Sequence, residues 1–339
     1  MKNIGILGAG SWGATIASLL CSKGHKVTLW EFDKEAASEF AKKRVLSFFP
    51  GLKLSNNISI TNNLKESVEK KDIIFLVVPS HTMRDVSKQV SLLGIDLKDT
   101  IIVSATKGIE NNSLKRMSEV IAEEISGIGN RVVALSGPTH AEEVSKKIPT
   151  TVTVASKNMD AAKQCQNILM EPYFRVYTNP DIVGVETGGA LKNIFAIASG
   201  ISDGLGLGDN SKAAIVTRGL RELVKLGTKM GGKQITFFGL SGVGDLIVTC
   251  FSKHSRNRAI GEKIGSGKSI EESEKELIMV AEGVKTTQSA YDLGKKHGLD
   301  LPIIQQVYNI LYKNKSPKEA LNELMMRDAK PEIDLYEYE

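Results

Sequence analysis

Cysteine is scarce in this chain. Three cysteines occur in 339 residues, at positions 21, 165 and 250, and none belongs to a CxxC motif. An odd number of widely spaced cysteines does not suit a disulfide framework, and no histidine lies at metal-ligand spacing from them. The sequence therefore predicts reduced thiols in an intracellular protein. It also argues against a cysteine-bound metal.

Long hydrophobic runs are also missing. No uninterrupted apolar run reaches the roughly 18 residues that span a bilayer. The stretch before Cys21 is faintly similar to a lipoprotein signal, but Leu20 stands where a small residue is needed, and Gly8, Gly10 and Gly13 interrupt the apolar core. The last residues match no organelle address and no lipidation motif. We therefore expect a cytoplasmic protein without membrane insertion.

No sign of charge dominates, and proline is infrequent. The chain has 44 Lys and Arg against 39 Asp and Glu, a net charge of +5, without a long basic block. This balance neither requires nor forbids a nucleic-acid partner, and we expect none. With 9 prolines and 41% hydrophobic residues, the chain falls outside the disordered and low-complexity classes. At about 150 residues per domain, its length suggests two domains.

The first half of the chain alternates short apolar strands with amphipathic helices. Several strands are apolar on consecutive positions, which is typical of a parallel sheet covered by helices on both faces. This pattern predicts an α/β, Rossmann-type, doubly wound and mostly parallel sheet. The predicted strands are residues 3–7, 26–30, 58–61, 72–78, 100–104, 131–136, 150–155 and 174–177. The predicted helices are 12–23, 64–70, 82–93, 113–125 (opened by Ser113) and 159–169.

The strand pattern stops near Pro180, and the remaining sequence favours helices. We predict helices at 181–205, 210–230, 256–264, 286–296 and 303–311, and a further one that Ser316 opens with Pro317 at its first position. The chain is therefore predicted to consist of a dinucleotide-binding domain, residues 1–180, and an all-α substrate and catalytic domain, residues 181–339.

A glycine-rich turn joins the first predicted strand to the first helix. It reads Gly8-Ala9-Gly10-Ser11-Trp12-Gly13. In a strand–turn–helix setting, Gly8 permits the tight turn, Gly10 lets a pyrophosphate approach the backbone, and Gly13 lets helix and strand pack closely. The helix N-terminus then offers free N–H groups to the diphosphate. We therefore predict dinucleotide binding at this turn.

An acidic residue ends the second predicted strand. Glu31 lies 18 positions after Gly13, near the place where an acid accepts the hydroxyls of the adenosine ribose. A carboxylate there repels a 2′-phosphate, so Glu31 favours NAD over NADP. A solvated acid at a strand end is the simpler alternative.

Polar residues follow several of the predicted strands. Ser80, Lys107 and the stretch Gly137-Pro138-Thr139 each come directly after a strand. In open α/β sheets, ligands bind at the carboxyl ends of the strands, so these residues are expected at one rim. Among these residues, Lys107 is the candidate for a functional role, although a lone lysine is usually only a surface residue.

One lysine stands in a helix that is apolar nearly all round. Lys192 shares a helix face with Gly188 and Gly189, four and three positions earlier. Each glycine costs about 1 kcal/mol against alanine in a helix, so we expect something to approach this face closely. Burial would lower the pKa of Lys192 and suit it to proton transfer. The alternative is a lysine whose ammonium reaches water.

A later segment combines an acid with groups that suit phosphate. Asp245 ends the Gly-rich turn Gly239–Asp245, and Ser255-Arg256-Asn257 stands at a predicted helix start. A hydroxyl, a guanidinium and an amide beside free backbone N–H groups form a candidate phosphate site. An ordinary serine-capped helix is the alternative. The five histidines form no cluster in the sequence, so no metal is predicted.

Taken together and in order, these blocks resemble the NAD(P)-dependent glycerol-3-phosphate dehydrogenases of the soluble bacterial type. The resemblance implies hydride exchange between a nicotinamide and C2 of glycerol 3-phosphate, giving dihydroxyacetone phosphate. It implies NAD as cofactor, with NADP possible. The family acts early in glycerophospholipid synthesis and commonly forms homodimers. The matching blocks are Gly8-Ala9-Gly10-Ser11-Trp12-Gly13, Val78-Pro79-Ser80, Thr106-Lys107-Gly108, Ser136-Gly137-Pro138-Thr139, Gly189-Ala190-Leu191-Lys192-Asn193, Gly242-Val243-Gly244-Asp245-Leu246, Ser255-Arg256-Asn257 and Glu282-Gly283-Val284-Lys285-Thr286-Thr287.

The resemblance also implies roles for individual residues. Lys192 would be the general acid/base, with Lys107 and Asp245 as further catalytic residues beside the substrate. The substrate would be held by Lys107, Gly137, Thr139, Lys192, Asp245, Ser255, Arg256 and Asn257. The cofactor would touch Gly8, Gly10, Ser11, Trp12, Gly13, Glu31, Lys107, Ala141, Arg256, Val280 and Glu282.

Two other functions remain open from the sequence. A dehydrogenase of the same architecture could act on a hydroxy acid or a sugar nucleotide, but it gives no reason for the phosphate site at residues 255–257. A non-catalytic NAD(H) sensor would use the Gly8–Gly13 turn, but it would not need a lysine on a glycine-cleared helix face.

Overall fold

The computed structural model describes residues 1–276 and 281–332 of the chain. The described strands, numbered along the chain, are β1 (Asn3–Leu7), β2 (Lys26–Trp30), β3 (Val45–Leu46), β4 (Phe49–Lys53), β5 (Ile58–Thr61), β6 (Ile73–Leu76), β7 (Ile101–Ser104), β8 (Val132–Ser136), β9 (Thr150–Ala155) and β10 (Phe174–Asn179).

Eight of these strands form one twisted sheet in the order β10-β9-β8-β7-β6-β1-β2-β5. Neighbouring strands are parallel except β8 and β9, which pair antiparallel. The sequence order reverses around β1, because β2 lies on one side of it and β6 on the other. This reversal creates the crevice at which doubly wound sheets bind ligands. The predicted α/β fold class is confirmed.

Helices cover both faces of the sheet. Along β6, Ile73 and Phe75 belong to one hydrophobic core, while Ile74 and Leu76 belong to the core on the opposite face. Burial on both faces explains why consecutive positions of this strand are apolar. The helices of this half are α1 (Ser11–Ser22), α2 (Lys34–Lys43), α3 (Leu64–Val68), α4 (Met83–Leu92), α5 (Met117–Glu124), α6 (Ala141–Val144) and α7 (Met159–Leu169), with a 3₁₀ turn at Ser80–Thr82.

The sequence prediction placed the start of α5 wrongly and missed a small sheet. Helix α5 begins at Met117 after its N-cap residue Arg116, not at Ser113. Before it, Asn112 and Leu114 adopt left-handed backbone conformations with φ of 69° and 58°, which end any helix there. The antiparallel pair β3–β4 and helix α2 were not predicted.

The second half of the chain is helical throughout its described residues. Strand β10 ends at Asn179, and the first helix of this half begins at Ile182. Its helices are α8 (Ile182–Gly204), α9 (Asp209–Lys229), α10 (Gln234–Phe237), α11 (Asp245–Phe251), α12 (Arg256–Gly265), α13 (Ile270–Lys275), α14 (Glu282–Lys296), α15 (Pro302–Lys313) and α16 (Pro317–Met325), with a π-helical turn at Leu240–Gly244. Ser316 caps α16 with Pro317 at its first position, as predicted.

Helix α8 is almost wholly buried at the centre of this half, and α12 packs directly against its backbone. A Cβ atom added at Gly200 would lie 2.0 Å from the carbonyl oxygen of Arg258 in α12. In return, one added at Gly261 would lie 2.1 Å from the carbonyl oxygen of Ile197 in α8. Because only glycine allows such backbone contact, these residues fix the distance between the two helices.

One stretch of the helical half is apolar enough to resemble a membrane span. Gln234–Phe251 has a mean hydropathy of 1.4 over 18 residues, and 44% of it is buried inside the protein. It is divided among α10, the π-helical turn and α11, so it is not one continuous α-helix. Its buried residues Phe237, Leu246 and Cys250 belong to the core of this half.

Candidate active site

The glycine-rich turn lies at the carboxyl end of β1, where the predicted crevice opens. Gly8 has a φ of +115°, and a Cβ atom there would lie 2.6 Å from the carbonyl oxygen of Val77. A Cβ atom at Gly13 would lie 1.9 Å from the carbonyl oxygen of Gly8. The tight turn and the close helix packing predicted for these two glycines are thus confirmed.

The N-terminus of α1 is suited to an anionic group. Gly10 is the N-cap residue and offers no side chain to the free N–H groups, while Ser11 and Trp12 begin the helix. The first turn contains no acidic residue, so the positive end of the helix dipole stays uncompensated there. These features fit the diphosphate of a dinucleotide.

Glu31 follows the end of β2, on the same edge of the sheet. The Asp33 amide donates to the Glu31 Oε1 atom at 3.2 Å, and burial raises the pKa of this carboxyl. The next residue, Phe32, has 72% of its surface exposed, and its ring lies edge-on to Trp30. We did not single out Phe32 from the sequence. It could have been found from the sequence, because it is a large aromatic residue directly after a strand that ends at a ligand-binding edge.

Two lysines from distant segments meet one buried carboxylate. Asp245, whose side chain is 1% exposed, accepts from Lys192 Nζ at 2.7 Å through Oδ1. Through Oδ2 it accepts from Lys107 Nζ at 2.6 Å. Helix α8 supplies Lys192, α11 begins with Asp245, and the loop after β7 supplies Lys107. The structure therefore brings together all three residues that were predicted to be catalytic.

Thr249 completes this cluster and was not found from the sequence. Its hydroxyl lies 2.6 Å from Lys192 Nζ and donates to the backbone carbonyl of Asp245, also at 2.6 Å. The available signal was its spacing, since a residue four positions after Asp245 lies on the same helix face.

The charges of the cluster are coupled. Burial lowers the pKa of the Lys192 ammonium to about 8, although the Asp245 carboxylate acts in the opposite direction. Burial by itself would raise the pKa of Asp245, but Lys107 and Lys192 outweigh it and hold this pKa below its ordinary value. Asp245 therefore remains an anion, while Lys192 can gain or lose a proton near neutral pH. The prediction that Lys192 is buried is confirmed.

The glycine-cleared face of α8 is filled by the protein's own chain. A Cβ atom at Gly188 would lie 2.6 Å from the carbonyl oxygen of Ser241, in the π-helical turn. One at Gly189 would lie 2.3 Å from the Ser136 hydroxyl oxygen, at the end of β8. The close approach was therefore predicted correctly, but these two glycines make room for protein atoms. They bring α11 and β8 close to Lys192.

The loop after β8 touches the cluster. The carbonyl oxygen of Gly137 accepts from Lys107 Nζ at 2.8 Å and from the Thr139 hydroxyl at 3.1 Å. His140 follows as the N-cap residue of α6, and Ala141 begins that helix, buried in the core shared with α1. The loop after β8 therefore connects the lysine–aspartate cluster, through Gly137, with the core beside α1, through Ala141. This position agrees with the expectation that Gly137 and Thr139 contact the substrate and Ala141 the cofactor.

The predicted phosphate residues stand at the N-terminus of α12. Ser255 caps this helix by accepting from the Arg258 amide at 3.2 Å, and Arg256 is exposed at its first position. Asn257 is buried: it donates to Asn193 Oδ1 at 2.9 Å and accepts from the Gly283 amide at 2.8 Å. The side chains of Ser255 and Asn257 are therefore already engaged within the protein. Arg256 is exposed at the helix N-terminus, where the dipole favours an anion.

Glu282 connects the two halves of the chain. It is the first residue of α14, and its Oε1 atom accepts from the Ser80 amide at 3.1 Å, while Oε2 accepts from the Ser80 hydroxyl. Ser80 lies just beyond the carboxyl end of β6. Helix α14 begins four residues earlier than predicted, which places Glu282 on it. Val280, also predicted to touch the cofactor, lies outside the described residues.

Within residues 1–276 and 281–332, no group of three or more His, Cys, Asp and Glu side chains is arranged to hold a metal ion.

Comparison with known proteins places these features in one family. The model of the NAD-dependent glycerol-3-phosphate dehydrogenase N-terminus matches residues 3–162, and that of its C-terminus matches residues 181–322. The chain is 50% identical over 334 residues to glycerol-3-phosphate dehydrogenase (NAD(P)+) of Fusobacterium nucleatum, covering 98% of this chain and 99% of that protein. It is 50% identical over 330 residues to the Thermoanaerobacter sp. protein of the same name, covering 97% and 98%.

A solved structure agrees with these relatives. The crystal structure of glycerol-3-phosphate dehydrogenase from Coxiella burnetii is similar with a TM-score of 0.91 at 39% identity, covering 96% of this chain and 99% of that one. The similarity thus extends over both halves of the chain.

Proposed function

The chain belongs to the NAD-dependent glycerol-3-phosphate dehydrogenase family, and we propose that Lys192 is the general acid–base of its reaction. That reaction is the NAD(P)-dependent interconversion of glycerol 3-phosphate and dihydroxyacetone phosphate. The observation that supports the role of Lys192 is its burial against Asp245, with Lys107 on the other oxygen of the same carboxylate.

In the direction of reduction, Lys192 Nζ donates a proton to the C2 oxygen of dihydroxyacetone phosphate. Bound NADH supplies the hydride that C2 receives. Lys107 polarises the C2 carbonyl, and Asp245 holds both ammonium groups in place. In the opposite direction, neutral Lys192 accepts the proton of the C2 hydroxyl, and its pKa of about 8 allows both roles near neutral pH.

The substrate phosphate is placed at the N-terminus of α12. Arg256 and the first free N–H groups of the helix bind the dianion, while Gly137 and Thr139 line the pocket on the sheet side. Ser255 and Asn257 keep this terminus in position through their hydrogen bonds to the Arg258 and Gly283 amides. This arrangement accounts for a phosphate ester better than for a hydroxy acid.

The cofactor is placed along the crevice of the sheet. Gly8, Gly10, Gly13 and the start of α1 at Ser11 and Trp12 hold its diphosphate, because the first turn of α1 contains no acidic residue and its dipole attracts an anion. On one side Glu31 accepts from the adenosine ribose and Phe32 covers the adenine. Towards the nicotinamide end we place Lys107, Ala141, Arg256 and Glu282. Residues 1–180 then form the cofactor domain and residues 181–339 the catalytic one.

The test of this function is the variant Lys192→Ala in the full chain. Without the proton donor, kcat for NADH oxidation with dihydroxyacetone phosphate should fall by about 10²–10⁴-fold, while NADH binding measured by fluorescence stays unchanged. The exposed Lys163→Ala variant is the control. Full turnover by Lys192→Ala would refute the proton-transfer role. Wild-type protein without turnover would refute the whole proposal. That result would favour a non-catalytic NAD(H) sensor.

Cofactor preference is tested at Glu31. Because its carboxylate repels a 2′-phosphate, the wild-type protein should use NADH at a several-fold higher kcat/KM than NADPH, and Glu31→Ser should reduce that difference. The measurement is steady-state kinetics with both cofactors at equal concentrations. A clear preference of the wild-type protein for NADPH would contradict this assignment.

We further propose that the protein works in the cytoplasm as a homodimer and supplies glycerol 3-phosphate for glycerophospholipid synthesis. Exposed apolar side chains support an association between copies, since Ile247 and Phe251 lie four residues apart on one face of α11 and both are exposed. Sedimentation velocity of the wild-type protein and of Phe251→Ser tests the dimer. A monomeric wild-type protein at micromolar concentration would contradict it.

A further inference from the structure

His140 carries a buried polar atom that no described residue satisfies. Its ring nitrogen Nε2 is shielded from solvent and has no hydrogen-bond partner in the described part of the chain. A buried polar group without a partner costs about 1–3 kcal/mol, and such groups are rare in folded proteins. An unpaired nitrogen inside a candidate active site is therefore a place where a ligand atom would gain a hydrogen bond.

The surroundings of His140 place it between the two ends of the proposed substrate. Lys192, Lys107 and Asp245 are all close enough to change the charge state of its ring. On its other side the ring of His254 lies 5.9 Å away, centroid to centroid. His254 directly precedes Ser255, the N-cap of α12. His140 thus lies beside both the lysine–aspartate cluster and the helix terminus assigned to the phosphate.

The ring of His140 is neutral in this environment. Burial, followed by the positive charges of Lys192 and Lys107, lowers the pKa of His140 to about 4. A neutral imidazole has one N–H donor and one acceptor nitrogen. It can therefore donate to an oxygen without adding a third cation beside the two lysines, which would lower the pKa of Lys192 further.

We propose that His140 is a substrate-positioning residue that donates a hydrogen bond from Nε2 to a phosphate oxygen of the triose phosphate. This inference rests on the proposed function of the site. His140 touches neither the C2 oxygen nor the transferred proton in this arrangement, so it should act on substrate affinity. His254 packs against its ring and keeps it turned towards the α12 terminus.

The experiment compares two variants that separate hydrogen bonding from ring packing. His140→Phe keeps a ring but removes the donor, whereas His140→Gln removes the ring but keeps an amide N–H donor. A hydrogen bond to a charged group is worth about 1.5–3 kcal/mol, so His140→Phe should raise KM for dihydroxyacetone phosphate about tenfold or more. Its kcat and its KM for NADH should change little, and His140→Gln should retain most of the wild-type affinity. The exposed His297→Phe is the matched control.

Inorganic phosphate identifies the end of the substrate that His140 contacts. Its competitive inhibition constant should rise in His140→Phe by a factor similar to that for KM. Equal KM values in wild type and His140→Phe would overturn the proposal, as would a KM defect in His140→Gln alone, since that pattern indicates packing. An unchanged phosphate inhibition constant would also overturn it. Turnover by the wild-type protein keeps these outcomes distinct from a failure of the proposed function.

Discussion

At the scale of single residues, the site depends on one carboxylate shared by two ammonium groups. Removing water from Lys192 lowers its pKa, and the Asp245 carboxylate prevents that decrease from becoming larger. The cluster therefore sets the proton affinity of Lys192 through burial and charge together. The burial of Lys192 was predicted from its apolar helix, but the effect of the charges could not be read from the sequence, because Lys107, Lys192 and Asp245 lie far apart in it.

The pH dependence of the two directions follows from this balance. Reduction requires protonated Lys192, so its rate should fall as the pH rises through about 8, whereas oxidation of glycerol 3-phosphate should rise over the same range. In Asp245→Asn the opposing charge is lost, so the pKa of Lys192 decreases. The pH profiles of reduction and of oxidation should then both move to lower pH by about one unit, since a nearby opposite charge changes a pKa by about 1–3 units.

The measurement is kcat/KM against pH in both directions, for the wild-type protein and Asp245→Asn. Glu272→Gln, an exposed change on α13, is the control. If either pH profile stays at the same pH in Asp245→Asn, a group other than Lys192 controls it.

At the scale of elements, the catalytic and phosphate-binding helices are held together by backbone contact. In α8, Gly200 and Gly204 face carbonyl oxygens of α12, and in α12, Gly261 and Gly265 face those of α8. The glycines are spaced four residues apart on each helix, so they form one continuous contact strip. Lys192 and the N-terminus of α12 are therefore fixed relative to each other by main-chain atoms.

A methyl group in this strip should disturb the site without touching it. Gly261→Ala would bring its Cβ to 2.1 Å from the Ile197 carbonyl oxygen and push the helices apart. We expect a loss of about 1–3 kcal/mol in the free energy of unfolding, together with a higher KM for dihydroxyacetone phosphate. Gly51→Ala is the control, because nothing lies within 4 Å of its added Cβ. Urea unfolding and steady-state kinetics measure both effects, and unchanged values in Gly261→Ala would contradict this role of the strip.

Most strands and long helices could be predicted from apolar periodicity, whereas features that depend on distant contacts could not. The strands at residues 3–7, 26–30, 58–61 and 150–155 were predicted at their observed limits. The pair β3–β4 is short and contains Pro50, so it carries no alternation to detect. Thr249 and the partners of Asn257 were missed for a different reason, since only the folded chain shows which polar atoms are already satisfied.

At the scale of the whole molecule, polar contacts join the sheet half to the helical half around the site. Glu282 accepts from Ser80, and the buried Glu186 on α8 accepts from Arg116 and from the amide and hydroxyl of Ser118 at 2.8 and 2.6 Å. Both carboxylates come from the helical half, and all three donor residues come from the sheet half. These contacts hold the two halves of the chain together.

Loss of the buried pair should destabilise the protein strongly. Glu186→Ala removes the buried carboxylate partner of Arg116, which keeps only the exposed Glu119 within the described residues, and leaves the buried Ser118 amide and hydroxyl without their acceptor. Breaking a buried ion pair typically costs about 3–5 kcal/mol. The exposed Glu123, a partner of Arg84, gives a matched control whose change to alanine should leave the unfolding midpoint almost unchanged. Urea denaturation followed by circular dichroism measures both variants. Equal unfolding midpoints for the two variants would show that the buried pair contributes no more to stability than the exposed one.

The glycine strip between α8 and α12 also has a consequence for the length of the substrate that the site accepts. In the proposed function Lys192 contacts the C2 oxygen and the start of α12 contacts the phosphate, so the rigid pair of helices would fix the distance between these two ends of the substrate. A phosphate ester one carbon longer, seated by its phosphate, would present its carbonyl beyond the reach of Lys192. On that proposal, the spacing of the main chain would itself discriminate against longer sugar phosphates.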